Sequence, residues 1–375
     1  MNKVKIIIIS VIFTSIFLCC SKQSKVSENT VDLDSTVPVS VYDLFESVDV
    51  IQLETNDECV IGPNIEVFFY KNRYYIFDFK QQGMFCFDDS GGYLFKIFRK
   101  GQGPEEYLYL GSCNIDHYND RLMLLEPFGN LLLFDLDGNF ISKIKLPMEI
   151  VAYNEVFPLN KDTLLFISLN KYTLVFYDLK TNTIIDKKFE DEIKYNLLAP
   201  THKTYIFNNE VFFSIPFSNN IMNINTGSVF TWNFGNKNIS KKQIQKVTKE
   251  IMIEPNRIPP RDFVQERLIN YQICLNYETP RYRICLLKFA DEVFKHVFFD
   301  KMLNKAFVFN QTKEGVRFLI PFFNEKFLIV TEEPNYKYKY YDENILTEQQ
   351  REIINRHDEY DNPILVRYNF KQYFN

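Results

Sequence analysis

Chemistry in this chain would have to come from its histidines, cysteines, carboxylates and one glycine-rich stretch. The four histidines are His117, His202, His296 and His357. None belongs to an H-x-H or H-E-x-x-H pair, the spacings that set two imidazoles side by side for a metal. No G-x-S-x-G is present, and no Ser-His-Asp set can be singled out. The carboxylates are plentiful but scattered, so no acid/base pair stands out. Gly101-Gln102-Gly103-Pro104 invites a phosphate-loop test. Such loops bind phosphate when a strand passes through free amides into a helix N-terminus. Here Pro104 removes an amide, no Lys-Ser/Thr follows, and the next element reads as a strand. The stretch reads instead as a turn with Tyr107 packed behind it. Arg99, Gln102, Glu105, Glu106 and Tyr107 are then the candidate ligand-binding rim, because loops on a rigid scaffold commonly carry function.

Five cysteines follow the N-terminal pair: Cys59, Cys86, Cys113, Cys274 and Cys285. The odd number and the absence of C-x-x-C indicate neither a disulfide framework nor a zinc site. A turn at Glu278-Thr279-Pro280-Arg281 would set Tyr277 opposite Tyr282 and Cys274 opposite Cys285. Directly opposed residues lie about 4.5–5.5 Å apart by Cα. Cys274 and Cys285 are therefore expected as a neighbouring pair, able to form a labile disulfide outside the cytoplasm.

That compartment is read from the N-terminus. Lys3 and Lys5 precede an apolar run from Ile6 to Leu18, too short to span a bilayer comfortably. The run ends in Leu18-Cys19-Cys20-Ser21, which resembles a lipobox. Cys20 is the better lipidation site, because Cys19 then fills the small position before the cut. Residues 1–20 are the expected signal peptide, and residues 21–40 read as a flexible polar tether. Ser21-Lys22-Gln23 lacks an early acidic cluster, which points to a periplasm-facing anchor rather than the cell surface.

The elements that must position the candidate residues recur along the remainder, residues 41–375. Phe 37 and Tyr 23 against Trp 1 favour strands, hence an all-β protein. A net charge of −5 with mixed signs argues against nucleic acid as a partner. Strand-turn-strand units end at Asp88, Asp135, Asp178 and Asn225, spaced by 47, 43 and 47 residues. Four short strands per such period are the signature of a β-propeller. A fifth blade reads from Ile269 through Phe309, and a sixth begins at Val316–Ile320. Two inserted helices are expected, at Ser240–Met252 with a Ser240/Gln243 capping box and at Thr347–His357 with Thr347/Gln350. Strand counting leaves Val48–Leu53 spare and the last blade one strand short. The expected fold is therefore a six-bladed propeller closed by its N-terminal strand.

Three segments carry a resemblance to a known family. They are Ile51-Gln52-Leu53-Glu54-Thr55 with Ile61-Gly62, the Arg99–Tyr107 stretch with its G-x-G-P-x-E-Y pattern, and Asn362–Tyr368. The chain resembles bacterial six-bladed β-propeller lipoproteins, described as TolB-like or NHL-like and mostly of unknown function. The resemblance implies the fold and the anchor but no catalytic residues. The function expected is that of a membrane-anchored scaffold binding a peptide, a glycan or an envelope protein, with no cofactor. The alternative is a lactonase-like hydrolase or lyase with calcium or zinc in the central channel, for which His117 and His202 are the channel candidates.

Overall fold

The computed structural model describes residues 30–147, 153–168, 174–188, 204–215, 218–240, 271–289, 293–319, 321–332 and 340–371, with 242, 243 and 245 besides. The N-terminal strand β1 (Phe45–Gln52) follows a single helical turn, α1 (Val41–Leu44), capped by Ser40. Blade 1 is β2 (Ile65–Tyr70), β3 (Arg73–Asp78), β4 (Gly83–Asp88) and β5 (Tyr93–Ile97). Blade 2 is β6 (Ser112–Asp116), β7 (Arg121–Glu126), β8 (Asn130–Asp135) and β9 (Phe140–Lys145). Blade 3 is β10 (Tyr153–Pro158), β11 (Thr163–Ser168), β12 (Leu174–Asp178) and β13 (Thr183–Lys188). Blade 4 is β14 (Thr204–Phe207), β15 (Glu210–Ser214), β16 (Asn220–Asn223) and β17 (Val229–Thr231). Blade 5 is β18 (Tyr271–Glu278), β19 (Tyr282–Phe289), β20 (Phe294–Asp300) and β21 (Lys305–Phe309). Blade 6 is β22 (Phe322–Phe323), β23 (Phe327–Glu332), β24 (Ile364–Phe370) and, as its outermost strand, β1. Each blade is a four-stranded antiparallel sheet, and together they form a six-bladed β-propeller.

Middle strands of a blade are covered on both faces, so they are apolar throughout rather than alternating. On β3, Tyr74 and Ile76 enter the layer shared with blade 6, while Tyr75 and Phe77 enter the layer shared with blade 2. Outer strands read differently: β9 (FISKIK) and β13 (TIIDKK) have no fully buried residue. The high Phe and Tyr content thus fills the layers between blades.

In blades 1 to 5 the turn after the third strand is organised by that strand's last polar residue. Asp88 Oδ1 accepts the amides of Ser90 and Gly92, and Asp135 Oδ1 accepts those of Asp137 and Asn139. In blade 4 this role belongs to Asn223, which accepts from Asn225 and Thr226, and not to Asn225 as the repeat suggested. Gly91 has φ +93°, and a Cβ there would stand 2.2 Å from the Gln52 carbonyl oxygen, so only glycine lets this turn meet the end of β1.

The ring closes as expected, with β1 antiparallel to β24 from Gln52↔Ile364 to Phe45↔Phe370. The helix at the end of the chain, α2 (Glu348–Arg356), carries the Thr347/Gln350 capping box. Ser240 and Gln243 cap each other reciprocally, and the rest of that expected helix lies mostly outside the described residues. Two expectations are corrected. Residues 316–319 do not form a strand; Val316 and Phe318 are buried in irregular backbone, and the first strand of blade 6 is only Phe322–Phe323. The expected tether is not loose throughout: Val31, Leu33 and Val39 are buried, and Val31, Val37 and Val39 bond to Asn233, Val308 and Lys313. Apolar residues spaced through this polar segment dock it on the perimeter of blades 4 and 5, which its composition alone concealed.

Strands alternate in direction, so two kinds of connection separate. Turns between first and second and between third and fourth strands lie at one face of the ring, the hairpin face. Turns between second and third strands and the passages to the next blade lie at the other, the passage face.

Candidate functional site

The passage from blade 1 to blade 2, residues 98–111, is built from its glycines and Tyr107. The Tyr107 amide bonds to the Arg99 carbonyl and the Gly101 amide to the Tyr107 carbonyl, both at 3.0 Å, making a narrow loop. Glu106 turns back into it, its Oε2 accepting the Gly103 amide at 2.7 Å. Tyr107 is fully buried, and its hydroxyl donates to the Gln82 carbonyl at 2.6 Å while accepting the Arg99 amide. Lys143 of β9 donates to the Glu106 carbonyl at 2.6 Å.

The five expected rim residues therefore divide. Glu106 and Tyr107 hold the loop together from inside. Arg99 and Glu105 form an ion pair on the surface, with the Arg99 guanidinium 5.7 Å from the Phe134 ring. Gln102 is exposed. The structure adds what the rim reading missed. Phe98, Leu108 and Tyr109 of this passage are exposed, and so is Phe128 on the neighbouring β7–β8 turn, at 78%. The Leu108 amide donates to Glu126 Oε1 at 2.7 Å, which fixes Leu108 beside that turn. Runs such as Tyr107-Leu108-Tyr109-Leu110 read as strand core in sequence, and only the fold shows which members face out.

The central channel is lined by β2, β6, β10, β14, β18 and β22, the first strands of the blades. Glu66 on β2 and Glu155 on β10 come from blades 1 and 3, which blade 2 separates, so their carboxyls sense each other only across the channel. Burial, then the charge of Glu155, pushes Glu66 up to about 8. Glu66 retains partial exposure, as a channel-lining group does. Neither residue was singled out from the sequence, although a carboxylate inside the apolar run Ile65–Tyr70 is the signal that could have found Glu66.

Hydrogen bonds cross the ring at the hairpin face. Tyr118 of blade 2 donates its hydroxyl to the Asn209 carbonyl of blade 4 at 2.7 Å. The Asn208 amide, again in blade 4, donates to Glu325 Oε1 of blade 6 at 2.8 Å. Both links pass over an intervening blade and narrow this end of the channel.

His117 lies beside them, just beyond β6. Its ring packs on Tyr118 at 4.2 Å, its Nε2 is buried without a hydrogen-bond partner, and burial holds its pKa below the usual imidazole value. His202, the other channel candidate, lies outside the described residues, as does Cys20. Among the described residues, no three His, Cys, Asp or Glu side chains gather as a metal site.

The cysteine hairpin has a different register from the expected one. Its turn is Thr279–Tyr282, with the Thr279 amide bonded to the Tyr282 carbonyl at 2.8 Å. Cys285 faces Asn276, and Cys274 falls where the register shifts between Ile273 and Leu275. No disulfide joins the two. The turn starts one residue later than expected, which sets Cys285 opposite Asn276, two residues from Cys274, and the bulge then leaves Cys274 itself outside the ladder pairing.

Comparisons with known proteins agree with this architecture. Residues 24–369 match the family described as Domain of unknown function (DUF4934), and the chain belongs to it. No curated protein sequence matches. Among solved structures, one described as an exported protein of Bacteroides fragilis superimposes with a TM-score of 0.69 at 18% identity, covering 92% of this chain and 98% of that one. A member of the DUF4221 family from Bacteroides vulgatus gives a TM-score of 0.52 at 10% identity, covering 88% and 97%. At these identities the likeness concerns the fold.

Proposed function

We propose that this DUF4934 member is an exported propeller, lipid-anchored through Cys20 on a periplasm-facing leaflet, that works as a binding scaffold. Its passage face is the surface that meets another component of the envelope. The observation that carries this reading is the 98–111 passage: bonds from Glu106, Tyr107 and Glu126 hold it rigid while Leu108, Tyr109 and Phe98 stay exposed. A preformed apolar surface loses little freedom on binding, and monomeric proteins rarely leave contiguous apolar patches without use. The export signal and the description of the Bacteroides fragilis structure as an exported protein support the location.

The test is a photoreactive residue placed at Leu108 or Met302 in cells. Crosslinks to one recurring envelope component from Leu108, absent from Met302 on the hairpin face, are expected. Equal or no crosslinking from Leu108, together with stoichiometric metal and hydrolytic turnover in purified protein, would overturn the scaffold reading.

A second reading draws on Glu66: burial and the charge of Glu155 across the channel push its carboxyl up to about 8, as a channel acid would need. Hydrolytic or lyase turnover that Glu66→Gln abolishes would establish it.

A further inference from the structure

The exposed apolar residues are not spread evenly. Among the described residues, Val60, Phe98, Leu108, Tyr109, Phe128 and Tyr360 all lie on passage-face connections. The hairpin face exposes Met302 and Leu303, and Tyr42 on α1 and Leu94, Ile141 and Ile185 on the outer strands β5, β9 and β13 are exposed singly. Phe98, Leu108, Tyr109 and Phe128 fall together in blades 1 and 2, flanked by exposed Lys80 and Lys100, with the Lys100 ammonium 5.6 Å from the Phe98 ring. Aromatic and aliphatic side chains edged by lysines suit the boundary between lipid headgroups and acyl chains.

A second, independent observation concerns the tether. The chain becomes docked at Thr30, whose hydroxyl accepts from Asn233 Nδ2 at 3.0 Å, while the Val31 amide bonds to the Asn233 carbonyl at 2.8 Å. Asn233 lies two residues beyond β17, where blade 4 leads into its passage-face connection. Only residues 21–29 separate Thr30 from Cys20. Ten peptide units span at most about 35 Å, whatever their conformation. A lipid on Cys20 therefore keeps the passage edge of blade 4 close to the bilayer. Four apolar side chains bind a membrane weakly by themselves, but a short leash turns their insertion into an intramolecular step at high effective concentration.

We infer that the Phe98–Leu108–Tyr109–Phe128 patch docks on the lipid bilayer that anchors the chain, so that the propeller lies with its passage face against the membrane. This rests on the scaffold reading and deepens it by naming the partner of that face as lipid.

The test supplies the tether artificially, so that it does not depend on acylation. The chain from Ser21, with a hexahistidine tag before it, is bound to phosphatidylethanolamine/phosphatidylglycerol vesicles containing a nickel-chelating lipid. A fluorophore is placed at Gln102→Cys or at Met302→Cys in a Cys274→Ser background, and lipid-borne nitroxide quenches it. Quenching several-fold stronger at 102 than at 302 is expected, with the difference lost in Leu108→Asp/Phe128→Asp while the tag still binds. Equal quenching, stronger quenching at 302, or a difference that survives the double substitution overturns the docking, including the case where a membrane protein is the true partner of the patch. The mass of the N-terminal peptide from the full chain is read separately: an unacylated Cys20 overturns the anchor, not the face.

Discussion

Asn362 Oδ1 accepts the Ile61 amide at 2.7 Å, and through this contact the two ends of the propeller are fixed to each other. The same side chain donates from Nδ2 to the carbonyls of Glu54 and Cys59, both at 2.6 Å. The Asn362 amide in turn donates to Thr55 Oγ1 at 2.8 Å. Residues 51–62 and 362–368, two of the segments that carry the family resemblance, are thus halves of one junction.

Asn362 is fully buried, so replacing it strands its partners away from water. An unsatisfied buried polar group costs about 1–3 kcal/mol, and Asn362→Leu strands the Ile61 amide and the Cys59 carbonyl, while the Glu54 carbonyl keeps the Cys59 thiol. A loss of about 3–5 kcal/mol is expected, read as a lower urea midpoint at unchanged slope. A loss under about 1 kcal/mol would mean that the junction relaxes around the leucine.

The 98–111 passage should depend on Tyr107 and Gly101 in different ways. Tyr107→Phe keeps the buried ring but loses the bond to the Gln82 carbonyl, at a cost of about 1–2 kcal/mol. At Gly101 a Cβ would stand 2.0 Å from Glu106 Oε2, so Gly101→Ala displaces the carboxylate from the Gly103 amide. Tryptic cleavage after Arg99 or Lys100 should speed up in Gly101→Ala while global stability changes little. An unchanged cleavage rate would show that Glu106 does not hold the loop.

Much of this was legible in the sequence, for physical reasons. Apolar middle strands with an Asp at the turn repeat because every blade solves the same packing problem, so blade number and closure followed from counting. The site was less legible. Leu108 and Leu110 look alike in sequence, yet one is exposed at 65% and the other buried, because Gln82 claims the Leu110 amide and Glu126 the Leu108 amide. Glu66 and Glu155 stand 89 positions apart, and the charge of one reaches the other only because blades 1 and 3 face one channel. Cys274 missed Cys285 because the turn starts one residue later and Cys285 falls opposite Asn276.

The thiols should report that register. Cys59, Cys86, Cys113 and Cys285 are buried, and burial raises all four thiol pKa values, Cys86 to about 12. Cys274 is partly exposed. Iodoacetamide should modify Cys274 first in native protein, and reducing agent should leave the melting temperature unchanged. A thermal shift on reduction, or a Cys274–Cys285 crosslinked peptide, would contradict the register.

Two titratable groups should bend stability with pH in opposite directions. Glu66 is raised from a usual 4.5 to about 8, so the folded state holds a proton that the unfolded chain has lost. Its contribution is intact below about 4.5 and disappears as pH rises towards 8. His296 is lowered from 6.5 to about 4 by burial; its Nε2 accepts the Phe318 amide at 3.1 Å and Nδ1 faces the Phe309 carbonyl. There the unfolded chain binds the proton first, so stability falls as pH drops from 6.5 to 4. Glu66→Gln should flatten the alkaline limb and His296→Phe the acid limb, measured by urea unfolding across pH. Either variant leaving its own limb unchanged would remove that residue from the account.

Arg367 offers the sharpest test of ring closure. It lies on β24, yet its guanidinium joins three elements: Nε to Asp49 of β1 at 3.1 Å, and Nη1 to Tyr74 Oη at 2.8 Å and Asp89 at 2.7 Å in blade 1. It also packs 5.3 Å from the Phe327 ring. The arginine is mostly buried whereas both aspartates are partly exposed, so screening limits each ion pair. What Arg367 supplies is geometry, because its rigid planar fork donates from two separated nitrogens to acceptors on different elements, whereas an ammonium carries all its donors on one nitrogen at the end of a flexible stem. Arg367→Lys should therefore cost about 1–2 kcal/mol despite keeping the charge, and Arg367→Met somewhat more. The loss should be local before it is global. Amides of Asp49 and Ile51 on β1, which face β24, should exchange faster with deuterium, while those of β7 and β8 in blade 2 keep their protection. Uniformly faster exchange around the ring would mean that closure is held by the β1–β24 ladder and the Asn362 junction alone, with Arg367 only resting on them.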